Sequence, residues 1–60
     1  MIKLRINSDI GYLQENGLHS KDKKKAFIFY SQEVAEKILL NRKSSIVKEW
    51  IELVNDKENI

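Results

Sequence analysis

The chain begins with apolar and charged residues in alternation, and this pattern predicts a first strand. Ile2, Leu4 and Ile6 alternate with Lys3 and Arg5. Because successive side chains of a strand point to opposite faces, a period of two gives this strand one apolar face and one cationic face.

A second strand is predicted over Ala26 to Tyr30, the longest uninterrupted apolar run of the chain. Aromatic and β-branched residues dominate the run, and such residues favour strands. A strand with one wet face would alternate, so we expect both faces of this one to be covered. Helices can cover one face, and the other needs a further helix, a second copy of the chain or a foreign protein. The aromatic side chains are therefore either core or interface.

Helical spacing and capping residues predict three helices. A short one runs from a cap at Ser8 to Gly17, where a left-handed glycine would end it, and an irregular loop is the alternative there. The next covers Ser31 to Leu40, with Ser31 as its cap, and the last covers Ser45 to Val54. The apolar residues of the last predicted helix continue the helical period of the one before it nearly in phase. One helix over residues 32–56 is therefore the alternative to two helices.

These elements together predict an α+β fold. A small two-stranded sheet would carry the short N-terminal helix, with the two C-terminal helices packed on one face. Residues 1–60 would form a single small domain, because a chain of this length buries only about 60% of its unfolded surface. Residues 56–60 are expected to fray.

The composition excludes several kinds of stabilising crosslink and metal site. The chain has no cysteine and one histidine, which removes disulfides and thiolate metal sites and leaves too few ligands for structural zinc. We expect no metal and no cofactor. The longest apolar run has five residues, too few to span a membrane. The lack of cysteine suits the cytoplasm, which is the expected location.

Residues that could support catalysis are few. His19 follows Leu18 in what reads as an exposed, lysine-rich loop, where water would not be excluded. The carboxylates Glu33 and Glu36, and likewise Glu49 and Glu52, are spaced as solvated helix faces, and no phosphate-binding loop is present. The sequence therefore predicts a protein that is not an enzyme.

Positive charge is concentrated in one loop, although the net charge is only 11 − 9 = +2. If the two strands pair, the cations of the first strand extend this patch. Lysines can contact nucleic-acid phosphates or an acidic protein rim. The candidate cationic residues are Lys21, Lys23, Lys24 and Lys25, with Lys3 and Arg5.

The order of strand, serine cap, helix and helix resembles the ribbon-helix-helix repressors in outline. Lys25 to Tyr30 would be the ribbon strand, and Ser31 to Leu40 and Ser45 to Val54 would be the helices. The resemblance implies a nucleic-acid-binding transcriptional regulator. In that family the ribbon reads base edges with polar side chains. Here both sets of strand side chains lack charged and amide groups.

An interaction protein is the favoured interpretation. We expect a small regulator or inhibitor that docks on a larger protein or protein–nucleic-acid complex, with a homodimer as a further option. Lys, Ile and Asn supply 22 of 60 residues, which suggests an AT-rich genome such as that of a phage or mobile element. Aromatic residues are frequent interface anchors. The apolar interface candidates are Phe27, Phe29, Tyr30 and Trp50.

Overall fold

The described part of the chain, residues 2–42 and 47–55 of a computed structural model, contains four strands, one α-helix and one 3-10 turn. In chain order these are β1 (Leu4–Ser8), β2 (Tyr12–Leu13), β3 (His19–Ser20), the 3-10 turn Lys23–Lys25, α1 (Gln32–Asn41) and β4 (Glu49–Leu53). β1 pairs with β4 and β2 pairs with β3, both antiparallel. The predicted fold, with one sheet and three helices, is therefore wrong.

β1 is the centre of the molecule. Its partner β4 runs antiparallel with Arg5 opposite Glu52. On the other edge of β1, the backbone N–H and C=O of Leu4 both bond Phe29 at 2.7 Å. Ile6 is fully buried. The predicted strand at the start of the chain is thus found, two residues later than its apolar alternation suggested. The core around it consists of Leu4, Ile6, Leu13, Phe29 and Ala35, with Ile38, Leu39 and Ile51 packed against them.

The predicted helix that begins after Ser31 is confirmed as α1. The Ser31 hydroxyl accepts a hydrogen bond from the N–H of Val34, which satisfies one of the free donors at the helix N-terminus. Ala35 is fully buried and fixes the face of α1 that meets the sheet. Val34, which helical spacing would place near that face, is 48% exposed.

The predicted short helix over Ser8 to Gly17 is replaced by the hairpin of β2 and β3. Instead of capping a helix, the Ser8 hydroxyl donates to the carbonyl of Gly11 at 2.6 Å and closes a turn. Gly11 has φ +129°, which no helix contains. Gly17 is left-handed as expected, with φ +87°, but it belongs to the hairpin loop.

The predicted helix over Ser45 to Val54 is wrong as well, because residues 49–53 form β4. The segment is rich in aromatic and β-branched residues that suit a strand, and β1 supplies a ladder for it. Helical spacing of the apolar residues was therefore overridden by pairing with β1. The predicted start of that helix at Ser45 and the fraying predicted for residues 56–60 lie outside the described residues.

The segment Ala26 to Tyr30, predicted as a strand, makes a single bridge. Phe29 pairs with Leu4, while the N–H of Phe27 donates to the carbonyl of Leu13 at 2.9 Å. Ala26 and Phe29 are buried, and the residues between and after them are more exposed. With a single bridge, the segment crosses the molecule as a connection between the 3-10 turn and α1 and is not a ladder strand. No helix among the described residues is long and apolar enough to cross a membrane.

Gly11 and Gly17 provide a matched test of the hairpin. A Cβ at Gly11 would lie 2.7 Å from the backbone C and O of Ser20, whereas one at Gly17 would meet nothing within 4 Å. We expect Gly11→Ala to lower the free energy of unfolding by about 3 kcal/mol, through a strained φ and a backbone clash. Gly17→Ala should lower it by only about 1 kcal/mol. Urea unfolding measures both, and equal losses would contradict the close approach to Ser20.

Candidate functional site

An open apolar groove of about 400 Å³ lies where the crossing segment meets the start of α1. The rings of Phe27 and Phe29 meet edge to face, with centroids 4.8 Å apart. Phe29 belongs to the core, whereas Tyr30 is 58% exposed. The groove is lined by Phe27, Ile28, Phe29, Tyr30, Ser31, Val34 and Ile38.

A second, smaller groove of about 280 Å³ adjoins the first and shares Phe27, Phe29 and Ile38 with it. Its remaining walls come from Leu13, from the hairpin loop and from Arg42 at the end of α1. Phe27 therefore has space on two sides, which explains its partial exposure within a chain that has few apolar residues to cover it.

The candidate lysines lie beside this apolar surface. Lys21 lies just before the 3-10 turn Lys23–Lys25. Asp22 caps this turn, because its side chain accepts a hydrogen bond from the N–H of Lys24 at 2.9 Å. All four lysines are exposed, and the turn leads directly into Ala26 and Phe27. We call residues 21–25 the lysine turn. The groove and the lysine turn together form one continuous stretch of chain with exposed apolar and cationic groups.

The cationic candidates on β1 have different environments. Arg5 is buried, its Nε donates to Glu52 at 2.5 Å, and its guanidinium lies 4.6 Å from the ring centroid of Tyr12. This geometry combines an ion pair with a cation–π contact. Lys3 is half-buried, and its carbonyl accepts a hydrogen bond from Val54. Arg5 is therefore an interior anchor of the sheet and does not extend the lysine turn.

Trp50, the remaining aromatic candidate, lies on β4 and is 37% exposed. β4 and Phe29 occupy opposite edges of β1. Trp50 is consequently separated from the groove by the width of the sheet. The four predicted aromatic candidates do not form one patch: Phe27 and Tyr30 line the groove, Phe29 supports it from the core, and Trp50 belongs to a different surface.

Glu49 forms a charged cluster that sequence reasoning assigned to a solvated helix face. Its side chain is only 4% exposed. Arg42 donates to it twice, from Nε at 3.2 Å and from Nη2 at 3.0 Å, and Nε2 of His19 lies 2.8 Å from Oε2. Burial by itself raises the pKa of Glu49. The hydrogen bonds from Arg42 and His19, together with the electrostatic attraction between these side chains and the carboxylate, outweigh it and hold that pKa below its ordinary value.

This cluster joins three elements of the fold through the side chain of Glu49. It ties β3, the C-terminal end of α1 and the first residue of β4. His19 is half-buried here, not in the exposed loop that was expected. Glu49 and Glu52 occupy opposite faces of β4, because they are an odd number of residues apart on a strand. Among the described residues, no group of three His, Cys, Asp or Glu side chains could hold a metal ion.

Sequence reasoning missed Val34 and Ile38 as groove residues, and it missed the partners of Glu49. Val34 follows the helical period of the core residues, so its exposure depends on where the crossing segment lies. No local signal joins His19 to Glu49, which are thirty residues apart. The two side chains meet because Glu49 lies on β4.

Comparison with protein-family models, with curated proteins and with solved structures finds no match for this chain. The groove and the lysine turn are thus the features from which a function can be inferred.

The Glu49 cluster predicts a specific pH dependence. A carboxylate whose pKa is lower in the folded state contributes stability above its unfolded-state pKa, and this contribution is lost as the pH falls through the folded-state value. We expect Glu49→Gln to lower the free energy of unfolding by about 2 kcal/mol near neutral pH. The difference from wild type should shrink as the pH falls below about 4.

Denaturant unfolding of both proteins between neutral and acidic pH measures this difference. Glu15→Gln, which removes an exposed carboxylate of the hairpin loop, serves as the control and should change stability by less than about 0.5 kcal/mol. A difference for Glu49→Gln that stays constant over the whole pH range would contradict the proposed ion-pair role.

Proposed function

We propose that the protein is a small non-enzymatic regulator or inhibitor that docks on a larger protein through the groove and the lysine turn. The observation that carries this proposal is the exposure of Tyr30 (58%) and Val34 (48%) side by side in an open apolar groove. Aromatic residues in such positions are common anchors of protein interfaces.

The apolar walls indicate what the partner would insert. Covering one exposed aromatic or valine side chain contributes about 1.5–3 kcal/mol, so a partner side chain seated between Tyr30 and Val34 would supply much of the affinity. The groove is open rather than enclosed, which fits an apolar projection of a protein better than a small ligand. Tyr30 also brings a hydroxyl that can bond a polar group at the rim.

The lysine turn indicates the charge of the partner's rim. Four lysines and Asp22 give residues 21–25 a local charge of 4 − 1 = +3, directly before Phe27. A partner with acidic groups around an apolar centre would match both features. Charges at the rim of an interface mainly accelerate association, while the apolar centre sets the lifetime of the complex.

The ribbon-helix-helix alternative loses its structural basis. The segment that would be the ribbon makes one bridge, and the segment that would be the second helix is β4. The lysine turn by itself keeps nucleic acid as an outcome to be tested. Action in the cytoplasm and origin from a phage or mobile element are parts of the same proposal, supported by the absence of cysteine and by the Lys, Ile and Asn content.

The groove proposal predicts selective loss of partner capture. The wild-type protein, immobilised in an extract of its native host, should retain one stoichiometric protein. Tyr30→Ser combined with Val34→Ser should weaken retention at least about tenfold, because the groove loses its apolar walls. Leu40→Ser is the matched control, since Leu40 is 69% exposed on α1 but does not line the groove. Circular dichroism checks that each variant is folded.

The opposite results are equally clear. Equal retention of that protein by all three baits, or by none, would rule out the groove as the docking site. Binding of duplex DNA or single-stranded RNA at low salt, abolished by Lys24→Glu with Lys25→Glu, would replace the proposal with nucleic-acid binding, because phosphate contacts are salt-sensitive.

A further inference from the structure

The hydrogen bonds of β1 show which backbone groups of β4 face outward. Leu4 directs both of its backbone groups to Phe29, and the N–H of Val54 donates to the carbonyl of Lys3 at 2.9 Å. In an antiparallel ladder these groups alternate between the two edges of a strand. Even-numbered residues of β4 therefore bond β1, and odd-numbered residues face away from it. The outward-facing residues are Glu49, Ile51 and Leu53.

No strand of residues 2–42 or 47–55 pairs with this outer edge. Natural edge strands are commonly blunted by proline, a bulge or unpaired charge. The chain contains no proline, and the register of β4 with β1 is unbroken. Within β4 itself the carboxylates of Glu49 and Glu52 are each paired with an arginine of the same chain, and the charge of Lys48, unpaired in this part of the chain, lies just before the strand. Trp50 and Leu53 remain 37% and 66% exposed.

We propose that β4 pairs antiparallel with β4 of a second copy of this chain, in the register that sets Trp50 opposite Trp50 of that copy. Lys48 then lies opposite Glu52 of the second copy, and Val47 lies opposite Leu53. Lys48 is exposed and has no partner among the described residues. Opposite charges and aromatic pairs placed directly across two strands are stabilising.

The neighbouring registers are less complementary. Residues whose backbone groups face outward can bond only to residues of the second copy whose backbone groups also face outward. The partner of any given residue can therefore change only by two positions from one register to the next. Centring it on Ile51 sets Trp50 against Glu52 and Lys48 against Val54. Centring it on Glu52 sets two carboxylates directly opposite each other, which is destabilising. The Trp50-centred register alone among these three matches both the charged and the aromatic positions, and Trp50 there occupies the closer, non-hydrogen-bonded type of pair.

The dimer joins two small sheets into one of four strands in the order β1, β4, β4 and β1. Two-stranded sheets are marginal in water, and more strands allow a stable sheet. The groove lies beyond the opposite edge of β1, where Phe29 bonds Leu4. Self-pairing through β4 therefore leaves the groove of each copy open, and this inference does not depend on the proposed docking function.

Sedimentation of the purified wild-type chain tests the pairing directly. We expect a species of twice 7.1 kDa that dissociates on dilution. Trp50 is the single tryptophan, so its emission should shift to the red over about a hundredfold dilution as the ring meets water. Trp50→Lys opposes two ammonium groups and should give a folded monomer. Leu40→Lys, which changes an exposed apolar residue of α1, should remain dimeric.

Cysteine substitution tests the register, because the natural chain has no thiol. Residues on the twofold axis of a non-hydrogen-bonded pair have Cα atoms about 4.5 Å apart, within disulfide range. Trp50→Cys should therefore crosslink with itself under mild oxidation. Glu52→Cys should not, because its copies are displaced by four residues along the strand.

A wild-type chain that sediments as a monomer at all concentrations would overturn the proposal. So would a dimer that persists in Trp50→Lys, since it would have to use another surface. Preferential crosslinking through Glu52→Cys would overturn the register. These measurements use the purified chain alone, so they are independent of whether the groove captures a partner.

Discussion

The pairing of β1 on both of its edges is the constraint on which the rest of this small fold depends. β4 occupies one edge, and Phe29 bonds the other through two short backbone hydrogen bonds. Ile6 is fully buried between these neighbours. The apolar groove exists because Phe29 is held inside while Phe27 and Tyr30, which flank it, are left partly uncovered.

Two ion pairs hold β4 in place from its opposite faces. Arg5 bonds Glu52 on one face, and Arg42 with His19 bonds Glu49 on the other. Buried ion pairs contribute less to stability than their geometry suggests, because both charges lose water. The clearer effect of these two ion pairs is to fix the position of β4 against the rest of the fold. Within the described residues, no buried polar side-chain atom lacks a hydrogen-bond partner.

The predictable features were those encoded locally. The period of two at Ile2 to Ile6 predicted the first strand, and Ser31 predicted the start of α1, because alternation and capping involve neighbouring residues. β4 was not predictable in this way, since its apolar residues fit a helix as well as a strand and only β1 decides between them. The exposure of the lysine turn could be anticipated from composition, whereas that of Tyr30 could not, because the sequence left the aromatic side chains as either core or interface. The contact between His19 and Glu49 could not, because it follows from the misassigned strand.

The antiparallel union of β1 with β4 has a consequence for how the protein is made. Arg5 meets Glu52 across 47 positions of sequence, so β1 is synthesised well before the strand with which it pairs. A nascent chain that ends before residue 49 contains α1 and the hairpin but exposes Leu4 and Ile6 without their neighbour. Such distant pairing makes folding slow relative to helical proteins of similar length. β1 therefore remains without its partner strand until residues 49–53 have been synthesised and can reach it.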